Sequence, residues 1–126
     1  MASSYKPHIV VLIAGGTVVK GHAVKAGTDD NHVIECTANT DLVIGLAQSS
    51  AASGEPVEVA IPGGGAKAKL GEAVVEGKLL VPHTDGTLVK ANASGDHLVA
   101  LAMQGGASGD VIDVQVIAGH AAAAEA

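Results

Sequence analysis

The sequence contains no Trp, no Phe and no Arg, with a single Tyr, Tyr5, and a single Cys, Cys36. Each absence excludes something. Without large aromatic side chains the core must be assembled from Val, Leu, Ile and Ala. Burying one of the larger aliphatic side chains is worth about 1.5–3 kcal/mol, while ordering each residue's backbone costs about 1–2 kcal/mol. With 17 Gly and many Ala, a large share of positions lose backbone freedom and bury little. The composition therefore predicts a thin core that gains from a partner or from self-association. Without Arg, the chain lacks the usual bidentate group for phosphate and guanine. The seven Lys stand singly and the net charge is −6. Nucleic-acid binding and attraction to an anionic membrane are accordingly not expected. One Cys rules out an internal disulfide framework, and Cys36 reads as a small buried hydrophobe in a strand. The apolar run Ile9–Ala14 is too short to cross a bilayer. No clear basic region precedes it and no clean small-x-small site follows, so it reads as a strand rather than a secretory signal. A cytoplasmic location is expected when the chain is made.

What is present is 48% hydrophobic residue content in 126 residues, enough for one folded domain. Gly and Pro punctuate the chain every few residues, and between them lie short runs rich in Val, Ile and Leu. This is the pattern of many short strands joined by tight turns. No helical period with caps is evident before the C-terminus. Repetition is the stronger signal. Gly21-His22-Ala23-Val24 is echoed by Gly71-Glu72-Ala73-Val74. The run Leu42–Gln48 is echoed by Leu98–Gln104, Ser53-Gly54-Glu55 by Ser108-Gly109-Asp110, and Val57-Glu58-Val59 by Ile112-Asp113-Val114. On this alignment the second copy carries an insertion around Asp85-Gly86 and Ser94-Gly95-Asp96. Both alternating strands have one apolar and one polar face, so two such units can pair into a barrel or sandwich. Gly15-Gly16, Gly63-Gly64-Gly65 and Gly105-Gly106 are expected at turns or bulges with positive φ.

The reading is an all-β fold, a small β-barrel or β-sandwich with an internal duplication, spanning 1–126 as a single domain. Residues 1–15 form an N-terminal arm and first strand, 16–62 a first half, 66–118 a second half, and 119–126 a flexible Ala-rich tail. Gly63-Gly64-Gly65 connects the halves.

A search for chemistry finds little. Gly63-Gly64-Gly65-Ala66-Lys67-Ala68 has the letters of a dinucleotide fingerprint, but Pro62 precedes it and Gly71 interrupts any following helix. Gly77-Lys78 is followed by Leu79, so there is no P-loop. His8, His22, His32, His83, His97 and His120 lack metal-ligand spacing, and no second Cys supports a zinc site. His83-Thr84-Asp85 and Asp96-His97 read as exposed turn pairs without a nucleophile motif. Gly71, Val74, Gly77 and Leu80 fall at the spacing of biotinyl and lipoyl carrier strands, with Lys90 as the only candidate lysine. The flanking carrier motif is absent. No enzyme activity, no cofactor and no metal are expected.

The order of Tyr5, Gly21–Val24, Gly45-Leu46-Ala47, Gly54-Glu55 and Val57-Glu58-Val59, repeated as Gly71–Val74, Leu101-Ala102, Gly109-Asp110 and Val114-Gln115-Val116, resembles the small head-decoration, or capsid cement, proteins of tailed bacteriophages. This family was formerly of unknown function and sometimes mislabelled as a recombinase. The resemblance covers residues 5 to 117. An aromatic residue common in the family after the second Gly-x-x-Val is missing at Val75-Glu76-Gly77. The resemblance implies a β-tulip-like domain and a structural role on the outer surface of the expanded capsid. The partners it implies are the major capsid protein and further copies of this chain, as a homotrimer or a dimer. Neither nucleic acid nor membrane is implied, and the location is the virion after assembly in the host cytoplasm. A non-enzymatic adaptor or tail component is the alternative. The expected interface residues are Tyr5, Lys6, Pro7, His8, Ile9, Val10 and Val11, within an arm from Met1 to about Ile13 that adds strand-like contacts to a neighbour. Tyr5 has the profile of an anchor.

Overall fold

A computed structural model describes residues 8–38, 41–91 and 97–120, with the backbone alone at 97 and 118–120. The fold is all-β. The first half supplies β1 (His8–Ala14), β2 (Ala23–Ala26), β3 (His32–Glu35), β4 (Val43–Ala47) and β5 (Pro56–Ile61), which close into a barrel in the order β1-β3-β2-β4-β5. The second half supplies β6 (Gly65–Lys69), β7 (Leu79–Pro82), β8 (Leu88–Lys90), β9 (His97–Ala102) and β10 (Val111–His120), a sheet ordered β6-β10-β9-β7-β8. A parallel bridge from Leu70 to Leu88 draws its two edges together as the parallel β1–β3 pairing does in the barrel.

Alternation explains why these segments are strands. In β5, Val57 and Val59 are buried while Pro56 and Glu58 are exposed. In β10, Ile112, Val114 and Val116 are buried while Val111 and Gln115 are exposed. The inward residues form two packed clusters. One fills the barrel with Ala14, Val18, Val24, Val33, Ala47, Ala51, Val57 and Val59. The other lies in the second half but takes Ala23, Cys36, Leu46 and Ala60 from the first. The two halves therefore share a core. Cys36 is buried just beyond β3 rather than within a strand.

Backbone hydrogen bonds establish the duplication and correct its register. Ala14 N–H donates to Glu55 C=O at 2.9 Å, as Leu70 N–H does to Asp110 at 2.8 Å. Gly21 N–H donates to Ala47 C=O at 2.7 Å, as Gly77 N–H does to Ala102 at 2.8 Å. Gly21 thus corresponds to Gly77, not Gly71, and Val24 to Leu80. Both glycines have φ of +89°, a left-handed conformation that Gly adopts without Cβ strain. The match to Gly71–Val74 was a coincidence of letters. The expected insertion disappears with it, because Gly77 precedes Leu98 by the same spacing as Gly21 precedes Leu42. Gln48 N–H donates to Glu58 C=O and Met103 N–H to Asp113 C=O, so Gln48 corresponds to Met103 and not to Gln104.

Three further expectations shift. Gly15, Gly16, Gly64, Gly65, Gly105 and Gly106 do not have positive φ, and Gly65 already belongs to β6 rather than to the connection between the halves. Gly106 is there for space, since a Cβ would lie 2.9 Å from the Ile112 side chain. β10 runs through His120 after a register shift between Val116 and Gly119, which takes Gly119 and His120 out of the expected tail. His97 begins β9 rather than sitting in a turn.

Candidate interaction surface

Of the expected interface residues, Tyr5, Lys6 and Pro7 lie outside the described residues. His8, Ile9, Val10 and Val11 open β1, which is built into its own barrel. It pairs antiparallel with β5 from His8 opposite Ile61 to Ile13 opposite Pro56. Strand alternation turns Val10 and Leu12 toward the barrel interior. Ile9 and Val11 face outward, 38% and 63% exposed. Among the described residues, the edge of β1 away from β5 is engaged only at its end, where Ile13 N–H donates to Asn31 C=O and Gly15 N–H to Val33 C=O, both at 2.8 Å. The N–H groups of Ile9 and Val11 point to that same side and have no hydrogen-bond partner among the described residues. Exposed apolar side chains beside an open strand edge form a surface suited to strand addition.

The matching edge of β6 is closed, and the first half closes it. Lys69 N–H donates to Gly21 C=O at 2.9 Å. Gln48 acts as a short strand in side-chain form. Its Oε1 accepts the Lys67 N–H and its Nε2 donates to the Lys67 C=O, each at 3.0 Å. In the other direction Ala23 N–H donates to Gly86 C=O at 2.8 Å. Gly21, His22 and Ala23 are buried in this joint. A Cβ at Gly21 would stand 2.9 Å from Lys69 N. Sequence reasoning did not find this joint. The aligned glycines Gly21 and Gly77 were its only legible trace, and they were paired wrongly.

The titratable groups are mostly structural. His22 Nδ1 lies buried 2.9 Å from Glu35 Oε2, close enough for an ion pair when protonated but not aligned for a hydrogen bond. His8 and His83 are exposed, and His32 is half-buried with Nδ1 2.9 Å from the Asp30 carbonyl oxygen. Lys25 pairs with Asp41 at 3.0 Å and Lys67 with Asp113. Partial burial pushes the Asp41 carboxyl up, but it is outweighed by the Thr37 N–H, the Lys25 ammonium and the Ala38 N–H, so its pKa falls below the usual value. Hydrogen bonding from the Thr87 hydroxyl holds Asp85 low against partial burial, with help from the Thr87 N–H. Burial pushes the Cys36 thiol up to about 12, with the Asp41 charge adding to it. Lys90 is exposed at the end of β8 and its backbone N–H is held by Glu72, so it does not crown a hairpin as a carrier lysine would. A shallow groove of about 300 Å³ beside β1 and β3 includes Thr28, Asp29, His32 and Ser53 in its lining. Among the described residues no three His, Cys, Asp or Glu side chains cluster as a metal site would require.

No family model and no curated protein matches the chain. Among solved structures, the chain is similar to the N base of head fiber gp8.5 of bacteriophage phi29. The TM-score is 0.70, over 94% of this chain and 98% of that one, at 14% sequence identity. At that identity the likeness is one of fold, and it runs through both halves.

Proposed function

We propose that this chain is a structural component of a bacteriophage head, which binds the outer surface of the shell and stabilises its expanded form. The observation that carries the reading is the likeness of fold, nearly end to end, to the base of a phage head fiber. The acidic charge and the absence of Arg suit a protein that works outside the shell, away from packaged DNA. In this reading it is not an enzyme. Its partners are the major capsid protein and further copies of itself, as a trimer, and its place is the virion surface after assembly in the host cytoplasm. Tyr5 to Val11 contribute to the contact with the capsid or with a neighbouring copy, with Ile9 and Val11 exposed on β1. Many weak contacts of this kind, repeated around a particle, add up through multivalency.

Quantitative mass spectrometry of purified virions tests the reading. The expected result is this chain at a copy number approaching that of the major capsid protein. A trace amount or absence would overturn the cement role and favour an adaptor or tail component. Deleting residues 1–6 should weaken binding to empty heads while the circular dichroism spectrum stays unchanged; undiminished binding would remove the terminal segment from the contact.

A further inference from the structure

We infer that two copies of this chain pair through the open stretches of their β1 edges, antiparallel about a two-fold axis at Val10. Ile9 and Val11 turn both backbone groups toward that edge, and among the described residues neither finds a partner there. One antiparallel register lets each of them both donate and accept. Ile9 stands opposite the second copy's Val11, and Val11 opposite the second copy's Ile9. Each opposed pair exchanges two N–H to C=O bonds, so all the open groups of both residues are satisfied in both copies. The neighbouring registers fail. An axis at Ile9 would set Val11 against Pro7, which has no N–H to give. An axis at Val11 would set Ile9 against Ile13, whose N–H already donates to Asn31 C=O. With the axis at Val10, Pro7 and Ile13 stand opposite each other and the ladder ends where its donors end.

The side chains suit the same register. Ile9 and Val11 lie on the outer face of β1, 38% and 63% exposed. Directly opposed residues of an antiparallel pair are side-chain neighbours, so Ile9 meets Val11 twice about the axis. The four side chains make one apolar patch with no charge to desolvate. The terminal segment points to the same occupant. Antiparallel pairing sends the residues before His8 of one copy toward the Ile13 end of the other. At that end lies the groove of about 300 Å³ whose lining includes Ala14, Gly15, Thr28, Asp29 and His32. Residues 1–7 carry Lys6 and no acidic side chain, whereas Asp29 and the adjoining Asp30 are both exposed. Seven extended residues reach about 23 Å, enough to lie along the groove. Each copy thus gives one basic terminal segment and receives another at an acidic groove. A contact of this isologous kind closes at two copies. It needs no shell, so it stands or falls separately from capsid binding, and it leaves the rest of the surface to other contacts.

Sedimentation velocity and residue-resolved amide hydrogen exchange on the purified full chain test it. Wild type should pass from monomer to dimer as concentration rises. The Ile9 and Val11 amides should exchange quickly in the monomer and at least about tenfold more slowly in the dimer. The Ile13 amide, bonded to Asn31 in both states, should stay protected throughout. Val11→Pro removes one donor from each copy. It leaves the β5 pairing intact, because the Val11 N–H faces away from β5 and Val10 before it is already extended. It should weaken association at least about tenfold. Leu42→Lys, at an exposed apolar site away from β1, should dimerise as wild type does. Ile9→Pro repeats the test if circular dichroism shows Val11→Pro unfolded, and the exchange measurement needs no variant. A chain that stays monomeric, a smallest assembly other than a dimer, a dimer in which Ile9 and Val11 still exchange quickly, or a folded Val11→Pro that associates normally would overturn the inference. So would protection of both amides in the monomer, since the chain's own terminal segment would then be what covers β1.

Discussion

Alanine at Gly21 and at Gly77 poses one backbone question in two surroundings. Both glycines have φ of +89°, and an L-residue held there costs about 1–2 kcal/mol. The loss of unfolded-chain freedom on going from Gly to Ala is common to both and cancels in the comparison. The surroundings differ. A Cβ at Gly77 meets nothing within 4 Å, whereas one at Gly21 stands 2.9 Å from Lys69 N and 3.0 Å from Lys69 Cβ. Those are backbone-anchored atoms of the other half, so the halves must separate locally. Overpacking of this kind costs about 1–3 kcal/mol. The stretched Lys69 N–H to Gly21 C=O bond contributes up to about 1 kcal/mol more. Gly77→Ala should therefore cost about 1–2 kcal/mol and Gly21→Ala about 2–6 kcal/mol. Equilibrium urea unfolding gives the comparison as midpoint shifts at constant slope. Equal shifts for the two variants would refute the reasoning, because they would mean that β6 does not press on Gly21.

Three other outcomes follow from the packing and charges. Gly45→Ala should be the most damaging single glycine change, because its Cβ would fall 2.1 Å from the Ala60 carbonyl oxygen; a cost beyond about 3 kcal/mol would appear as insolubility or a collapsed thermal transition, and a mild shift would contradict the β4–β5 approach. Native Cys36 should resist thiol reagents at neutral pH and react once urea unfolds the chain. Its raised pKa leaves stability intact below the unfolded value near 9.0 and withdraws it as pH rises toward about 12, so Cys36→Ala should flatten the alkaline limb of a pH–stability curve. Asp41→Asn should destabilise at neutral pH by removing the Lys25 pair. Because the Asp41 pKa is lowered by folding, its contribution is lost as pH falls through that value, so variant and wild type should converge in acid; a constant gap would assign the effect to packing.

The all-β class and the doubled plan were legible because alternation and turn glycines are local signals. Val57-Glu58-Val59 and Ile112-Asp113-Val114 declare their inward faces by composition alone. The register of the repeat was not legible at its first landmark, since Gly-x-x-Val occurs by chance in a chain this rich in Gly and Val. Only long-range bonds, such as Gly21 to Ala47, distinguish the true partner. The joint between halves was hidden for the same reason. Nothing in the run Leu46-Ala47-Gln48 announces that the Gln48 amide will stand in for a strand against Lys67. Nor does anything around His22 announce that Gly86 of the other half will pack against it. Ile9 and Val11 were expected to belong to an arm, because an apolar run next to the terminus does not reveal that β5 holds one edge of it.

The barrel is contiguous in sequence. Every strand that closes it lies between His8 and Ile61, and it has an apolar interior of its own. During synthesis it can close while β6–β10 are still unmade. The finished barrel then offers the emerging chain a prepared ledge, with the Gly21 carbonyl and the Gln48 amide already set at the spacing β6 requires. Folding of the second half becomes growth on an existing template, so the strand with the fewest bulky side chains, Gly65–Lys69, is also the one guided into place by its predecessor.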